Sequence, residues 1–188
     1  DNQSADINSM AGNSNKVGAK GTLTEVYFDK NTGEVNIICT NTYLAQASSD
    51  YNEKDEKLDI NVFATGKTFN SGNALSADDF AIANYQEDDY LLVTAYTSNG
   101  TAYTVKEIAP ATVVSDVKVS AYAARDYITA GGTKYTMNAN AAKAGSGAMG
   151  ESTILDGSSV SLQSTTYDLV LDANGYLLGA TTHSNDAD

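Results

Sequence analysis

Tryptophan is missing from this 188-residue chain, and cysteine, proline and histidine occur once each. The lone Cys39 excludes an internal disulfide. The lone His183 means that any Ser/His/Asp site or imidazole metal centre would need that one ring in a cleft. Its polar surroundings, "HSNDAD", point to solvent instead. Bases are also scarce, with 11 Lys+Arg against 24 Asp+Glu and a formal charge of −13. Without a basic footprint nucleic acid is not an expected partner, and acidic lipid surfaces repel the chain. No apolar run approaches the roughly 20 residues of a membrane helix, so no membrane insertion is expected. The chain opens at Asp1 without Met or a basic-then-apolar leader, as expected of a mature or excised portion of a longer protein. Scarce cysteine suits a secreted bacterial surface protein, as it suits the cytosol.

What is present is globular: hydrophobic residues make up 41% of the chain, enough for a real core. Residues 1–18 are polar and aperiodic, the texture of a flexible arm. From Lys20 the chain turns β-branched and aromatic. "GTLTEVYF", "DKNTG" and "EVNIICTNTYL" read as strand, turn and strand. A three-residue loop, Asn31-Thr32-Gly33, would set Lys30 opposite Glu34 and leave apolar groups on both faces, which suggests burial on both sides. Further turns are expected at Asn99-Gly100, at Gly131-Gly132 and, as a two-residue type I′ loop, at Asn174-Gly175. The last would group Leu169 and Leu171 with Leu178 and Ala180. Ser76 with Asp79 resembles a capping box ahead of Phe80 and Ile82, so one short helix is expected there. Asn138 to Gly157, rich in alanine and glycine, reads as a long surface loop. The expected fold is all-β, hairpin-built and barrel- or sandwich-like. Two small β subdomains, 19–109 and 110–183, would meet near Pro110, followed by a tail at 184–188.

"KGTLTEVYFDKNTGEVNIICTNTYLAQASSDYNEKDEKLDINV", "EDDYLLVTAY", "VVSDVKVSAYAARDYITAGGTKYTMNAN" and "YDLVLDANGYLLGA" follow one another in that order. Together, from about Lys20 to Ala180, they resemble the β-rich region of Firmicutes surface-layer-type proteins that also carry S-layer homology domains. The resemblance implies a secreted, cell-wall-associated module with a structural or adhesive role and no catalytic residues. The wall-anchoring repeats of such proteins are not in this segment.

The residues themselves mark no active site. Cys39 lies among apolar strand residues and reads as an inert buried thiol. "GSGAMG" lacks the lysine and preceding strand of a phosphate loop. Asp78-Asp79, Asp88-Asp89 and Asp50 with Glu53 are acid pairs of the kind glycosidases use, but in so acidic a chain they read as solvated turns. Asp29, Asn31 and Glu34 offer oxygens to calcium, yet counting from Asp29 puts Glu34 sixth and Thr40 twelfth, where an EF-hand needs glycine and glutamate. The turn reading is preferred. No catalytic, cofactor or metal residue is therefore assigned. The function expected is a non-catalytic structural or interaction module of a cell-surface protein, its partner another surface protein or a wall saccharide polymer. The alternative is a carbohydrate-binding module or accessory domain of a cell-wall hydrolase, since twelve tyrosines offer faces for sugars.

Overall fold

A computed structural model describes residues 17–64, 67–97, 102–142 and 162–183. The expected arm up to residue 16, the Asn99-Gly100 turn, most of the alanine- and glycine-rich loop, and the tail lie outside the described residues. The fold is all-β. One sheet holds β1 (Thr22–Phe28), β2 (Val35–Ala47), β3 (Lys57–Val62), β4 (Thr68–Phe69), β5 (Ala74–Ser76), β6 (Tyr90–Thr97) and β7 (Ala102–Pro110). Its order is β4-β7-β6-β2-β3-β5, with β1 also paired to β2. The second holds β8 (Thr112–Ala123), β9 (Tyr127–Ala130), β10 (Thr133–Thr136), β11 (Thr166–Leu171) and β12 (Leu177–Thr182), in the order β10-β9-β8-β11-β12. Ala111 alone carries the chain from one sheet to the other, its N–H donating to the Tyr90 carbonyl at 3.1 Å.

Alternation along β2 and β6 divides the interior. Tyr43, Ala45, Leu91, Val93 and Ala95 enter one apolar cluster with Leu58, Ile60 and Leu75. Leu44 and Leu92, on the opposite face, join Phe63 and the second sheet's Val119, Ile128, Leu169, Leu177 and Leu178 in another. The central strands are thus buried on both faces, and the second cluster is common to both sheets.

A polar tie crosses the same junction. Asn140 Nδ2 donates to Asn41 Oδ1 at 2.9 Å, and Asn138 Nδ2 donates to Asp172 Oδ2 at 2.8 Å. The Ala139 N–H donates to the Lys20 carbonyl, which brings Gly21 against Asn138.

Four local expectations are corrected. No helix occurs among the described residues. Ser76 instead heads a single turn, its carbonyl accepting from the Asp79 and Phe80 N–H groups and its Oγ from Asp78 N–H. One turn cannot recover the nucleation cost of a helix unless more turns follow, and Ile82 is drawn into the core instead. The first hairpin pairs Phe28 with Val35 and Val26 with Ile37, one residue out of the expected register. Asp29 N–H donates to Glu34 C=O and Gly33 N–H to Asp29 C=O, so the loop holds four residues rather than three. Third, the outer half of that hairpin is not buried on both sides, as its exposed apolar residues show below.

The Asn174-Gly175 turn is also longer than expected. Only Gly175 has positive φ (80°), and Asp172 N–H donates to Tyr176 C=O across a three-residue loop. Asp172 Oδ1 accepts from both Asn174 N–H and Tyr176 N–H at 2.9 Å, which fixes the wider loop. Leu169 does face Ala180, but a bulge then sets Leu171 opposite Leu177. Gly131 and Gly132, both at positive φ, join Ala130 to Thr133 through a two-residue turn as expected.

Candidate functional site

β2 is 13 residues long, but its pairing with β6 runs only from Cys39 to Gln46. Residues 35–38 therefore continue past the described end of β6 with β1 as their described partner, and among the described residues the hairpin runs on as a two-stranded ribbon. β1 pairs on one edge only; its outer edge has no strand partner among the described residues. The apolar groups of this ribbon are not covered. Leu23 is 55% exposed, Val26 62%, Tyr27 51% and Phe28 59%. Val26 and Phe28 share one face by alternation, while Leu23 and Tyr27 share the other. An open strand edge flanked by bare apolar side chains is a template for pairing with another chain.

The loop at the ribbon's tip is self-contained. Asp29 Oδ1 accepts from Asn31 N–H at 2.8 Å and Thr32 N–H at 3.4 Å, and Thr32 Oγ1 accepts from Glu34 N–H. These amides, the Asn31 N–H foremost, hold the Asp29 carboxyl below the usual carboxylate range. Asp29 thus organises its own turn, and no group of three His, Cys, Asp or Glu fit for a metal ion occurs among the described residues.

Two clefts border the junction of the sheets. One, of about 670 Å³, lies between Thr40, Thr42 and Thr94 on one side and Asn174 and Tyr176 on the other. The second, of about 480 Å³, is lined by Asn84, Tyr85, Asp89, Tyr90, Pro110 and Val113. The 86–90 segment that walls the second cleft is pinned to the end of β2. Asp88 N–H donates to Ala47 C=O, and Ala47 N–H donates to Asp89 C=O. Asp89 Oδ2 accepts from Gln86 N–H at 2.8 Å. Burial first, and then nearby Asp89, pushes the Tyr85 phenol above its ordinary range; burial and Asp88 do the same for Tyr90.

The other residues singled out from sequence are dispersed. Cys39 is buried and reduced, and burial raises its thiol pKa. Asp78 and Asp79 are exposed on the turn after β5. Asp88 Oδ1 accepts from Gln46 Nε2, and Asp50 Oδ1 accepts from Glu87 N–H, so both serve loop geometry. Glu53 lies exposed in the turn between Asn52 and Lys57.

His183 departs from the solvent-facing expectation. Its side chain is 22% exposed and Nδ1 lies 2.8 Å from Asp168 Oδ1, which also accepts from Asp116 N–H. Asp168 pairs with Thr181 across the β11–β12 hairpin, so His183 is its diagonal neighbour on one face.

Three tyrosines are buried in packing. Tyr43 and Tyr103 meet edge to face at 5.8 Å with Lys67 Nζ 4.7 Å from the Tyr103 ring centre, and Tyr167 is buried in the core common to both sheets. Nothing in the chain separates these from Tyr85 and Tyr90 beyond the acidic, turn-rich "YQEDDY" that spaces the latter pair. Compared with family models, curated proteins and solved structures, the chain matches none.

Proposed function

We propose that the chain is a non-catalytic interaction module of a secreted, S-layer-like bacterial surface protein, and that β1 is its contact strand. The observation that carries this reading is the open-edged ribbon with Leu23, Val26, Tyr27 and Phe28 exposed. In water such groups cost about 25 cal/mol per Å² of apolar area left uncovered, and a partner strand both covers them and completes the edge hydrogen bonds. Charge selects the partner. A net −13 opposes a second copy of this chain and an anionic lipid surface, and favours a neutral or basic surface protein with its own free strand edge. The order of the sequence phrases that resemble Firmicutes surface-layer-type proteins supports the location. The test is co-sedimentation with Gram-positive cell envelopes before and after protease treatment. The proposal expects strong retention by untreated envelopes and, on stripped ones, only the weaker retention that a saccharide contact can give. Equal retention on stripped envelopes would contradict it and favour the saccharide polymer.

A further inference from the structure

We propose that the cleft between the 84–90 segment and Pro110–Val113 is a saccharide-binding site, separate from β1 and independent of its role. Sugar recognition asks for two things at once: flat apolar faces for the ring's C–H groups, and mixed donors and acceptors for the hydroxyl rim. Both are present here. Tyr85 packs against the first cluster and Tyr90 against the core common to both sheets, so two half-buried tyrosines line one cleft of about 480 Å³. That volume falls in the range of about 300–1,000 Å³ typical of small-molecule sites. Neither phenol oxygen, nor the exposed Asn84 amide, makes a hydrogen bond within the described chain, and Asp89 Oδ1 is equally open while its Oδ2 is fixed by Gln86. Pro110 and Val113 supply an apolar wall.

The lining also rejects other classes. No cation is among its described lining residues, so a phosphate or other anion would meet Asp89 unscreened. A wholly apolar ligand would strip water from Asn84, Asp89 and two phenols without replacing their hydrogen bonds, at about 1–3 kcal/mol for each buried group. A neutral pyranose replaces them. Preorganisation favours binding as well. Tyr90 sits at the start of β6, its carbonyl taken by Ala111 N–H, and the Tyr85 carbonyl accepts from Tyr51 N–H at 3.2 Å.

The test titrates the whole chain with cellotetraose and with tetra-N-acetylchitotetraose, using tetragalacturonate as the charged counterpart. Amide resonances of Tyr85, Asp89, Tyr90 and Val113 report binding. At least one neutral tetrasaccharide should shift them saturably, and tetragalacturonate should bind more weakly. Tyr90→Ala removes a ring that also packs on the core, so two milder variants keep the result readable. Asn84→Ala and Tyr85→Phe should fold normally and each weaken binding about three- to tenfold, the net worth of one hydrogen bond. The proposal is overturned by no saturable shift with either neutral probe, by full affinity in both variants, or by tightest binding of tetragalacturonate.

Discussion

Replacing Gly21 by alanine tests the tie between the start of β1 and the second sheet. Gly21 adopts φ 79°, and a Cβ there would stand 2.6 Å from Asn138 Cγ, far inside contact distance. Asn138 is only 3% exposed and is not a freely swinging side chain. Its Nδ2 donates to Asp172 and its Oδ1 accepts from Asn140 N–H, both at 2.8 Å. Making room means breaking at least the bond to the Asp172 carboxylate, about 1.5–3 kcal/mol for a hydrogen bond to a charged group. The left-handed backbone adds about 1 kcal/mol for any residue with a Cβ. The sum is about 3 kcal/mol, or roughly 6–12 °C in melting temperature for a chain of this size. Gly175→Ala is the control. Its φ is 80° but no atom lies within 4 Å, so only the backbone cost of about 1 kcal/mol, roughly 2–4 °C, should appear. Thermal melts of both variants by circular dichroism decide it. Equal shifts would refute the close packing of Gly21 on Asn138.

A thiol reagent should label Cys39 only after denaturation, because the side chain is wholly buried and its thiol pKa is raised; rapid labelling of the native chain would contradict that burial. Asp29 should titrate below its ordinary 3.8 in a carbon-detected NMR titration. Its folded pKa is depressed, so the turn's stabilisation is present above 3.8 and lost as pH falls through the lower, folded value; Asp29→Asn should remove that acid dependence. Calcium should raise the melting temperature slightly, and magnesium by a similar amount. A specific site would give about 2.7 kcal/mol at a hundredfold excess over Kd, and a large calcium-only rise abolished by Asp29→Ala with Asn31→Ala would contradict the turn assignment.

The all-β class was legible because its signals are local: β-branched runs, and a Gly131-Gly132 pair whose two positive φ angles suit a two-residue turn. Registers were less legible because one extra loop residue shifts every pair. At Asp29 the decision is made by a carboxylate gathering the amides of Asn31 and Thr32, and at Asp172 by one gathering Asn174 and Tyr176. An Asp opening each loop was the available signal. Ser76 and Asp79 showed the limit of a capping pattern read without helix length. The exposed ribbon escaped sequence reading because Val26 and Phe28 look like core residues, yet both stand more than half exposed beyond the described β2–β6 pairing, which ends at Cys39. The Asp168–His183 pair was recoverable by counting across the β11–β12 hairpin, whereas the Tyr85–Tyr90 cleft depends on Pro110 returning beside β6.

The most direct test of the contact strand is a Val26→Ser, Phe28→Ser double variant with stability and envelope retention measured on one preparation. Val26 and Phe28 are both more than half exposed, so the melting temperature should stay within about 4 °C of the parent, as for two surface changes of roughly 0.5 kcal/mol each. Retention by protein-bearing envelopes should fall at least tenfold. Unchanged retention at unchanged stability would contradict the account.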